Sequence, residues 1–230
     1  MTIGNRLECA LALLAAGGKS ARFADIGSDH AFLAVEAVRR GLAARAVAAD
    51  INPAPLERGR AYARASAVAE VEFLRSDGFE ALHGDPPDAA ALCGLGGILI
   101  SKILQKGGKT ARCRLILQPM TAQDRLRAYL WENGFEIVEE RFALENKRPY
   151  ALLSARYTGR NTPFSQTDLY LGKTPQPTPA FAAMAGKVRR MAQKRLTGAP
   201  PEDEARALES LIAECRAAED AGRRVTENPQ

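Results

Sequence analysis

Apolar residues recur with two different periods along the first 157 residues. Near the N-terminus, Ile3, Leu7, Leu11 and Leu14 follow at steps of three or four, which predicts an amphipathic helix that ends at a Gly-Gly pair. Short apolar runs, typical of buried strands, then alternate with helix-forming stretches. Strands are predicted at 22–26, 45–50, 71–74, 88–93 and 113–117, and helices at 31–40, 53–66, 98–106 and 121–133.

Two further extended segments, 135–144 and 150–157, follow with no helix between them. Five alternations of strand and helix favour a parallel, helix-covered sheet, because parallel neighbours need crossover connections. Two strands that are joined directly favour an antiparallel pair at one edge. The sequence therefore predicts an α/β domain over 1–158, with a sheet of seven strands of which only the last is reversed.

The chain changes character after Tyr157. Residues 159–179 are rich in Gly, Pro, Thr and Gln, which indicates a linker. Two apolar stripes then predict a helical hairpin over 180–221, and residues 222–230 are expected to fray. The first stripe is a heptad-like seam of the coiled-coil type, formed by Phe181, Met184, Val188 and Met191. The second consists of Leu208, Leu211, Ile212 and Cys215.

The composition is that of a folded globular protein. Among the 230 residues, 46% are hydrophobic and 26% are charged, and no apolar stretch approaches the ~20 residues that a membrane span needs. Four scattered cysteines without a C-x-x-C pair indicate buried thiols in a reducing compartment. The two histidines lie far apart in sequence, so no zinc-site spacing exists. We expect a cytoplasmic protein with no membrane contact and no metal, and we favour a monomer.

Positive charge is concentrated in one region. The formal net charge of the chain is +5, whereas residues 156–195 alone carry +7. A basic helix on a near-neutral body suits contact with RNA phosphates. A solvated helix face, or a hairpin that dimerises or binds another partner, would show the same pattern. The RNA-contacting cations predicted on this basis are Lys187, Arg189, Arg190, Lys194 and Arg195.

The loop after the first predicted strand carries two carboxylates around one glycine. Asp25 and Asp29 flank Gly27, and Asp29 stands where a dinucleotide-binding loop would have its second glycine. A carboxylate at that point would repel a pyrophosphate, so NAD and FAD are disfavoured. A ligand with positive charge fits better, and S-adenosylmethionine carries such charge on its amino group and its sulfonium.

Further acids and glycines follow the next strands. Asp50 lies 23 residues after Gly27, near the spacing at which an acid binds ribose hydroxyls. Asp77 follows the third strand, where it could accept from an adenine amino group. A Gly-Leu-Gly-Gly loop follows the fourth strand, where bare backbone would face the reacting group. The predicted cofactor contacts are Asp25, Gly27, Ser28, Asp50, Ile51, Asp77, Gly78, Gly94, Leu95, Gly96 and Gly97.

Three motifs together resemble the tRNA adenine-22 N1-methyltransferase family. They are the string A-D-I-G-S-D-H-A-F-L at 24–33, the G-L-G-G loop, and R-L-I-L-Q-P at 114–119. The likeness covers nearly the whole chain and extends to L-Y-L-G at 169–172. It implies methylation of tRNA by S-adenosylmethionine, a Rossmann-like class I methyltransferase domain and a C-terminal coiled coil. The chain departs from the family pattern at Phe32 (usually Tyr), Ala34 (usually Pro), Leu95 (usually Met) and Met120 (usually Asn).

The resemblance also suggests how the reaction would proceed. Adenine N1 carries a lone pair and needs no deprotonation before attack, so the enzyme mainly positions the reactants. The product is cationic, and the predicted catalytic residues are Asp29, as its stabiliser, and His30. His30 could equally pack or cap the following helix. Gln118 and Pro119 are predicted substrate contacts.

Two other classes of function fit the same residues. The chain could methylate a small molecule or a protein, in which case the hairpin would be dispensable for activity. Alternatively, it could have lost catalysis and serve as an RNA-binding or cofactor-sensing module, which the departures at Phe32 and Met120 would allow.

Overall fold

Helices and strands alternate through the first half of the chain, with bounds close to those predicted. The structure is a computed structural model that describes residues 3–173 and 175–227. Its elements are α1 (Asn5–Ala16), β1 (Ser20–Ile26), α2 (Phe32–Arg39), β2 (Ala43–Asp50), α3 (Pro53–Ala65), β3 (Val71–Arg75), β4 (Ala89–Leu95), α4 (Gly97–Gly107), β5 (Arg114–Pro119), α5 (Gln123–Glu132), β6 (Phe135–Glu145), β7 (Arg148–Tyr157), α6 (Gln166–Leu171), α7 (Pro179–Leu196) and α8 (Glu202–Glu227).

The seven strands form one sheet in the order β3-β2-β1-β4-β5-β7-β6. Strands β1 to β5 pair in parallel, and β7 pairs antiparallel with both β5 and β6. The prediction that only the last strand is reversed is therefore confirmed. Strand order changes direction between β1 and β4, and ligands of open α/β sheets bind outside the carboxyl ends of the strands at such a point.

Both faces of the sheet are buried under helices. One apolar core lies beneath α1, α2 and α3, and the other lies beneath α4 and α5. The central strands are rich in alanine, and Ala46, Ala48 and Ala90 are each at most 3% exposed. Strands that are buried on both faces have continuous apolar sequences, which is why the sequence pattern located them so well.

The predicted hairpin is present as the antiparallel pair α7 and α8. Phe181 and Val188 of α7 share a core with Leu208 and Leu211 of α8. Met184, from the same predicted seam, instead lines a cavity against the loop after β5. Because α7 also packs on β6 and β7, it buries a wider stripe than a heptad seam does.

The predicted linker is packed against the sheet domain. It contains α6, whose first turn is closed by reciprocal hydrogen bonds between Ser165 and Asp168. Arg127 of α5 is fully buried and donates to the carbonyl of Leu169 at 2.7 Å. So short a helix depends on tertiary contacts of this kind. The Gly- and Pro-rich composition of the segment could not reveal them.

Helix α8 continues to Glu227, beyond the predicted end of the hairpin. Within the predicted tail, 222–227 are therefore helical, and 228–230 lie outside the described residues. No helix in 3–173 or 175–227 combines the length and the apolar character that crossing a membrane requires.

Candidate active site

A cavity of about 510 Å³ opens at the carboxyl ends of β1, β4 and β5, where the strand order reverses. Three loops and helix α1 form its walls. The lining residues are Arg6, Leu7, Asp25, Gly27, Ser28, Asp29, His30, Ala31, Phe32, Leu33, Cys93, Gly94, Leu95 and Met120. The fold thus brings together the predicted cofactor residues that follow β1 with two of those that follow β4.

Asp25 is the most deeply buried acid of this cavity, at 5% exposure. Burial raises the pKa of its carboxyl to about 6, and the negative charge of Asp50 acts in the same direction. The Ser28 hydroxyl, which donates to Asp25 at 2.8 Å, opposes this rise. A carboxylate that is costly to ionise in isolation is stabilised by a cationic ligand. The residues present therefore fit the amino group of S-adenosylmethionine.

Glycines that follow β1 and β4 bring the loops after these two strands into contact. Gly27 has φ +73° and donates its N–H to the carbonyl of Ala49 at 2.8 Å. A Cβ at this position would lie 3.2 Å from the side chain of Leu95. Gly96 is the N-cap of α4. A side chain at Gly27 would therefore be strained and crowded where the backbone must approach a ligand.

The loop after β5 is tied to the Gly-Leu-Gly-Gly loop by two backbone hydrogen bonds. The N–H of Met120 donates to Leu95, and that of Gly97 donates to Thr121, both at 2.8 Å. A Cβ on Gly97 would lie 2.3 Å from the carbonyl oxygen of Ala122. The two loops therefore form a single wall, which requires glycine at this position.

A second hollow, of about 450 Å³, lies at the same sheet edge and is lined by Ile51, which follows β2, and by Asp77, which follows β3. Ile51 is 54% exposed there, and Gly78 has φ +61°. The Asp77 carboxylate binds Lys106 Nζ at 2.6 Å, and Asp50 accepts from the backbone N–H two residues further on at 2.7 Å. Both carboxylates therefore have a hydrogen-bond or ion-pair partner.

Asp29 and His30 lie at the rim of the larger cavity. The Asp29 carboxylate is paired with Arg58 of α3, and one of its oxygens lies 3.5 Å from His30 Nε2. The His30 ring stacks on Phe32, with 5.1 Å between the ring centroids. Arg58 partly neutralises the charge that the sequence assigns to catalysis, so the role of Asp29 stays a prediction.

Gln118 acts inside the protein rather than on a substrate. It is 0% exposed, and its amide oxygen accepts from Arg6 at 2.8 Å and from the N–H of Gly94 at 3.1 Å. Pro119 is buried as well. The predicted direct substrate contact of these two residues is corrected accordingly, since neither offers surface to RNA. Arg6 was missed because a lone arginine on an N-terminal helix carries no motif.

Cys93 lines the cavity, but its environment makes it inert. Burial raises the pKa of its thiol far above the usual range, so the sulfur stays protonated at neutral pH. Among residues 3–173 and 175–227, no three His, Cys, Asp or Glu side chains are grouped to hold a metal ion.

Two of the five predicted RNA-contacting cations are held by carboxylates of α8. Arg189 binds Glu219 at 2.7 Å, and Arg195 is paired with Glu204. Acidic residues of α8 thus neutralise part of the positive charge that the sequence places on α7. The charge count over 156–195 could not include these partners, because they follow later in the chain.

The other three cations form a stripe on one face of α7. Lys187, Arg190 and Lys194 are spaced by three and four residues and are all exposed. None of them forms an ion pair with a residue in the described part of the chain. We call these three residues the basic stripe.

The sequence matches a known family over most of its length. The model for tRNA (adenine(22)-N(1))-methyltransferase covers residues 23–193. The tRNA (adenine(22)-N(1))-methyltransferase of Bacillus subtilis is 32% identical over 152 residues. That alignment spans 65% of this chain and 64% of the Bacillus protein, just under two thirds of the relative.

Solved structures share the whole architecture. Streptococcus pneumoniae Sp1610 in complex with S-adenosyl-L-methionine superimposes with a TM-score of 0.78 at 28% identity, covering 95% of this chain and 100% of the other. M. capricolum TrmK in complex with S-adenosyl-homocysteine gives a TM-score of 0.76 at 20% identity, covering 96% and 99%. The second likeness concerns the fold alone.

Proposed function

Because the chain belongs to the tRNA (adenine(22)-N(1))-methyltransferase family, we propose that it transfers the methyl group of S-adenosylmethionine to N1 of adenine 22 in tRNA. The observation that carries the proposal is the buried Asp25 carboxylate in a cavity at the switch point of the sheet. An acid there fits a cationic methyl donor, and Asp29 at the rim would repel the pyrophosphate of a dinucleotide. We place the enzyme in the cytoplasm together with its substrate.

Three acids would hold the methyl donor along the edge of the sheet. Asp25 would bind its amino group, Asp50 would accept from the ribose hydroxyls, and Asp77 would accept from the adenine amino group. The ion pair with Lys106 fixes the position of the Asp77 carboxylate beforehand. Such preorganisation lowers the ordering cost of binding.

S-adenosylmethionine supplies an electrophilic methyl group on a sulfonium. The substrate N1 attacks with its own lone pair, so the N–C bond forms while the S–C bond breaks and its electron pair stays on sulfur. No side chain has to remove a proton. The chain's contribution is to align the reactants, and Asp29 at the rim would offset the positive charge that develops on the adenine.

The tRNA would reach this cavity across the basic stripe. Phosphate contacts by exposed Lys and Arg side chains supply affinity without reading sequence. The target adenine must leave its stack to enter the cavity, at a cost of a few kcal/mol. Binding along α7 would compensate for that cost.

The decisive test is methyl transfer from labelled S-adenosylmethionine to tRNA that lacks this modification, followed by nucleoside analysis. We expect 1-methyladenosine at position 22, and we expect Asp25→Asn to form it more slowly than the wild type when S-adenosylmethionine is limiting. Cofactor binding without transfer to tRNA would overturn the proposal. It would instead favour a small-molecule or protein substrate, or a non-catalytic RNA-binding role.

A further inference from the structure

A second cavity adjoins the proposed catalytic cavity and has no role in the chemistry described above. It measures about 250 Å³ and lies between α7 and the loop after β5. Met120, which is 39% exposed, lines both cavities. We call this cavity the side pocket, and its principal lining residues are Met120, Gln123, Tyr170, Met184, Lys187 and Met191.

We propose that the side pocket receives the nucleobase next to the methylated adenine, an inference that rests on the proposed function. The pocket is smaller than the ~300–1,000 Å³ typical of drug-sized ligands, so it suits one compact ring system. An RNA strand whose target base occupies the larger cavity must place a neighbouring nucleotide close to Met120. The side pocket is the space available at that point.

The walls of the side pocket suit a flat aromatic face. Tyr170 contributes a ring, and Met184 and Met191 contribute thioethers. Aromatic side chains are the usual stacking partners of splayed RNA bases, and the polarisable sulfur of methionine packs favourably against rings. Met184 is 1% exposed, so a base would mainly contact Tyr170 and Met191, which are partly exposed.

One side of the side pocket is polar. Gln123 and Asp124, in the first turn of α5, bring an amide and a carboxylate to its lining. The preceding Ala122 is held at φ +51°, and Ala31 of the larger cavity is held at φ +54°. Non-glycine residues persist in this conformation where the surrounding structure imposes it, often at ligand clamps. The amide of Gln123 can donate to and accept from the edge of a base, and the carboxylate of Asp124 can accept from it.

Positive charge continues from the side pocket along α7. Lys187 lines the pocket and is also the first member of the basic stripe. A base held in the pocket would leave its phosphate beside Lys187, and Arg190 would lie one helical turn further on. Apolar walls with cations at one end complement a nucleotide, whereas a purely structural void would need no charge.

The test pairs a protein variant whose side pocket is filled by a larger side chain with tRNA transcripts that lack the neighbouring base. Met191→Trp would fill the side pocket, and tRNA transcripts with an abasic nucleotide immediately 5′ or 3′ of the target adenine would remove its ligand. On intact tRNA we expect the kcat/KM of Met191→Trp to lie about 10- to 100-fold below that of the wild type. We expect the wild type to show a loss of the same size on one of the two abasic transcripts. Combining the two changes should cost no more than either one alone.

Two controls separate this inference from other effects. Ser210→Trp introduces the same side chain at an exposed position of α8 and should behave as the wild type. Lys187→Met tests the pocket mouth without adding volume, should Met191→Trp fail to fold. The side-pocket proposal would be overturned if the wild type methylated the two abasic transcripts equally well. It would also be overturned if the losses from Met191→Trp and from the abasic nucleotide multiplied. If the wild type binds tRNA without methylating it, the proposed function fails, and the same comparison made by filter binding still decides the pocket.

Discussion

The guanidinium of Arg6 donates to the buried amide oxygen of Gln118 at 2.8 Å, although 112 residues separate the two in sequence. Gln118 in turn accepts from the N–H of Gly94 in the glycine loop. The N-terminal helix is therefore part of the candidate active site, and it supports the glycine loop that lines the larger cavity.

Replacing Arg6 with Met should impair catalysis, because it removes a charged hydrogen bond and leaves the Gln118 oxygen one donor short. Hydrogen bonds to charged groups contribute about 1.5–3 kcal/mol, which corresponds to a loss of about 10- to 150-fold in kcat/KM. The loss in kcat/KM is measured from steady-state rates of methyl transfer to tRNA. Lys19→Met removes an exposed cation elsewhere and should have no effect. Wild-type kcat/KM in Arg6→Met would show that the contact is dispensable.

Asp25→Asn should stabilise the protein and weaken cofactor binding together. The pKa of Asp25 is about 6 in the folded chain against 3.8 for an ordinary aspartate, so the folded state binds the extra proton between these pH values. Ionised Asp25 therefore lowers stability as pH rises through this window, by at most about 3 kcal/mol. We expect Asp25→Asn to raise the free energy of unfolding by about 1–3 kcal/mol at pH 7.5 and to leave it unchanged at pH 3.5.

Denaturant titration at the two pH values tests the first effect of Asp25→Asn, and calorimetric titration with S-adenosylmethionine tests the second. Affinity should fall about 10- to 100-fold, since a charge-assisted hydrogen bond is lost. In the wild type, affinity should fall as pH drops below about 6, because the carboxyl becomes neutral. Unchanged affinity in the variant would remove Asp25 from the cofactor site.

Gly97→Ala should damage the wall between the two loops. Its Cβ would lie 2.3 Å from a backbone carbonyl oxygen, so the loop after β5 must move. We expect a loss of about 1–3 kcal/mol in stability and a larger relative loss of methyl transfer. Gly84→Ala is the matched control, because nothing lies within 4 Å of a Cβ there. Equal stability of the two variants in thermal unfolding would contradict this account.

The buried ion pair that anchors α6 should show strong coupling. Arg127 and Glu140 lie 2.8 Å apart, and their side chains are 0% and 5% exposed. Glu140→Ala leaves a buried cation and should cost about 3–5 kcal/mol, whereas the Arg127→Met, Glu140→Leu double variant should cost less. Denaturant unfolding of the single and double variants measures the difference. Additive losses would show that the two charges do not interact.

The basic stripe should account for much of the salt dependence of tRNA binding. Changing Lys187, Arg190 and Lys194 to Gln should reduce the slope of log affinity against log salt by about 2–3 if all three meet phosphates. Arg206→Gln is the control, because this exposed arginine is paired with Asp203 on α8 at 3.1 Å. An unchanged slope in the triple variant would move the RNA contact to another surface.

The local pattern of apolar, polar, Gly and Pro residues determined most of the fold. Continuous apolar strands, regular helix periods and Gly or Pro breaks are properties of neighbouring residues, so the order of elements and the single reversed strand could be predicted from them. The acids and glycines at the strand ends were equally readable, because parallel strands bring their carboxyl ends to one edge. The position of Asp25 and Gly27 beside the larger cavity follows from the same rule.

Only the tertiary structure decided which side chains meet across long sequence separations. Nothing near Arg6 indicates that Gln118 is its partner, and nothing in 159–179 indicates that Arg127 binds its backbone. The charge of α7 depends on where α8 folds back. Helix α8 pairs with two of the five cations, and the other three form no ion pair with any residue in 3–173 or 175–227. Such contacts depend on packing geometry rather than on local propensity. The positions of the side pocket and of the basic stripe therefore emerge only once the hairpin is docked on the sheet domain.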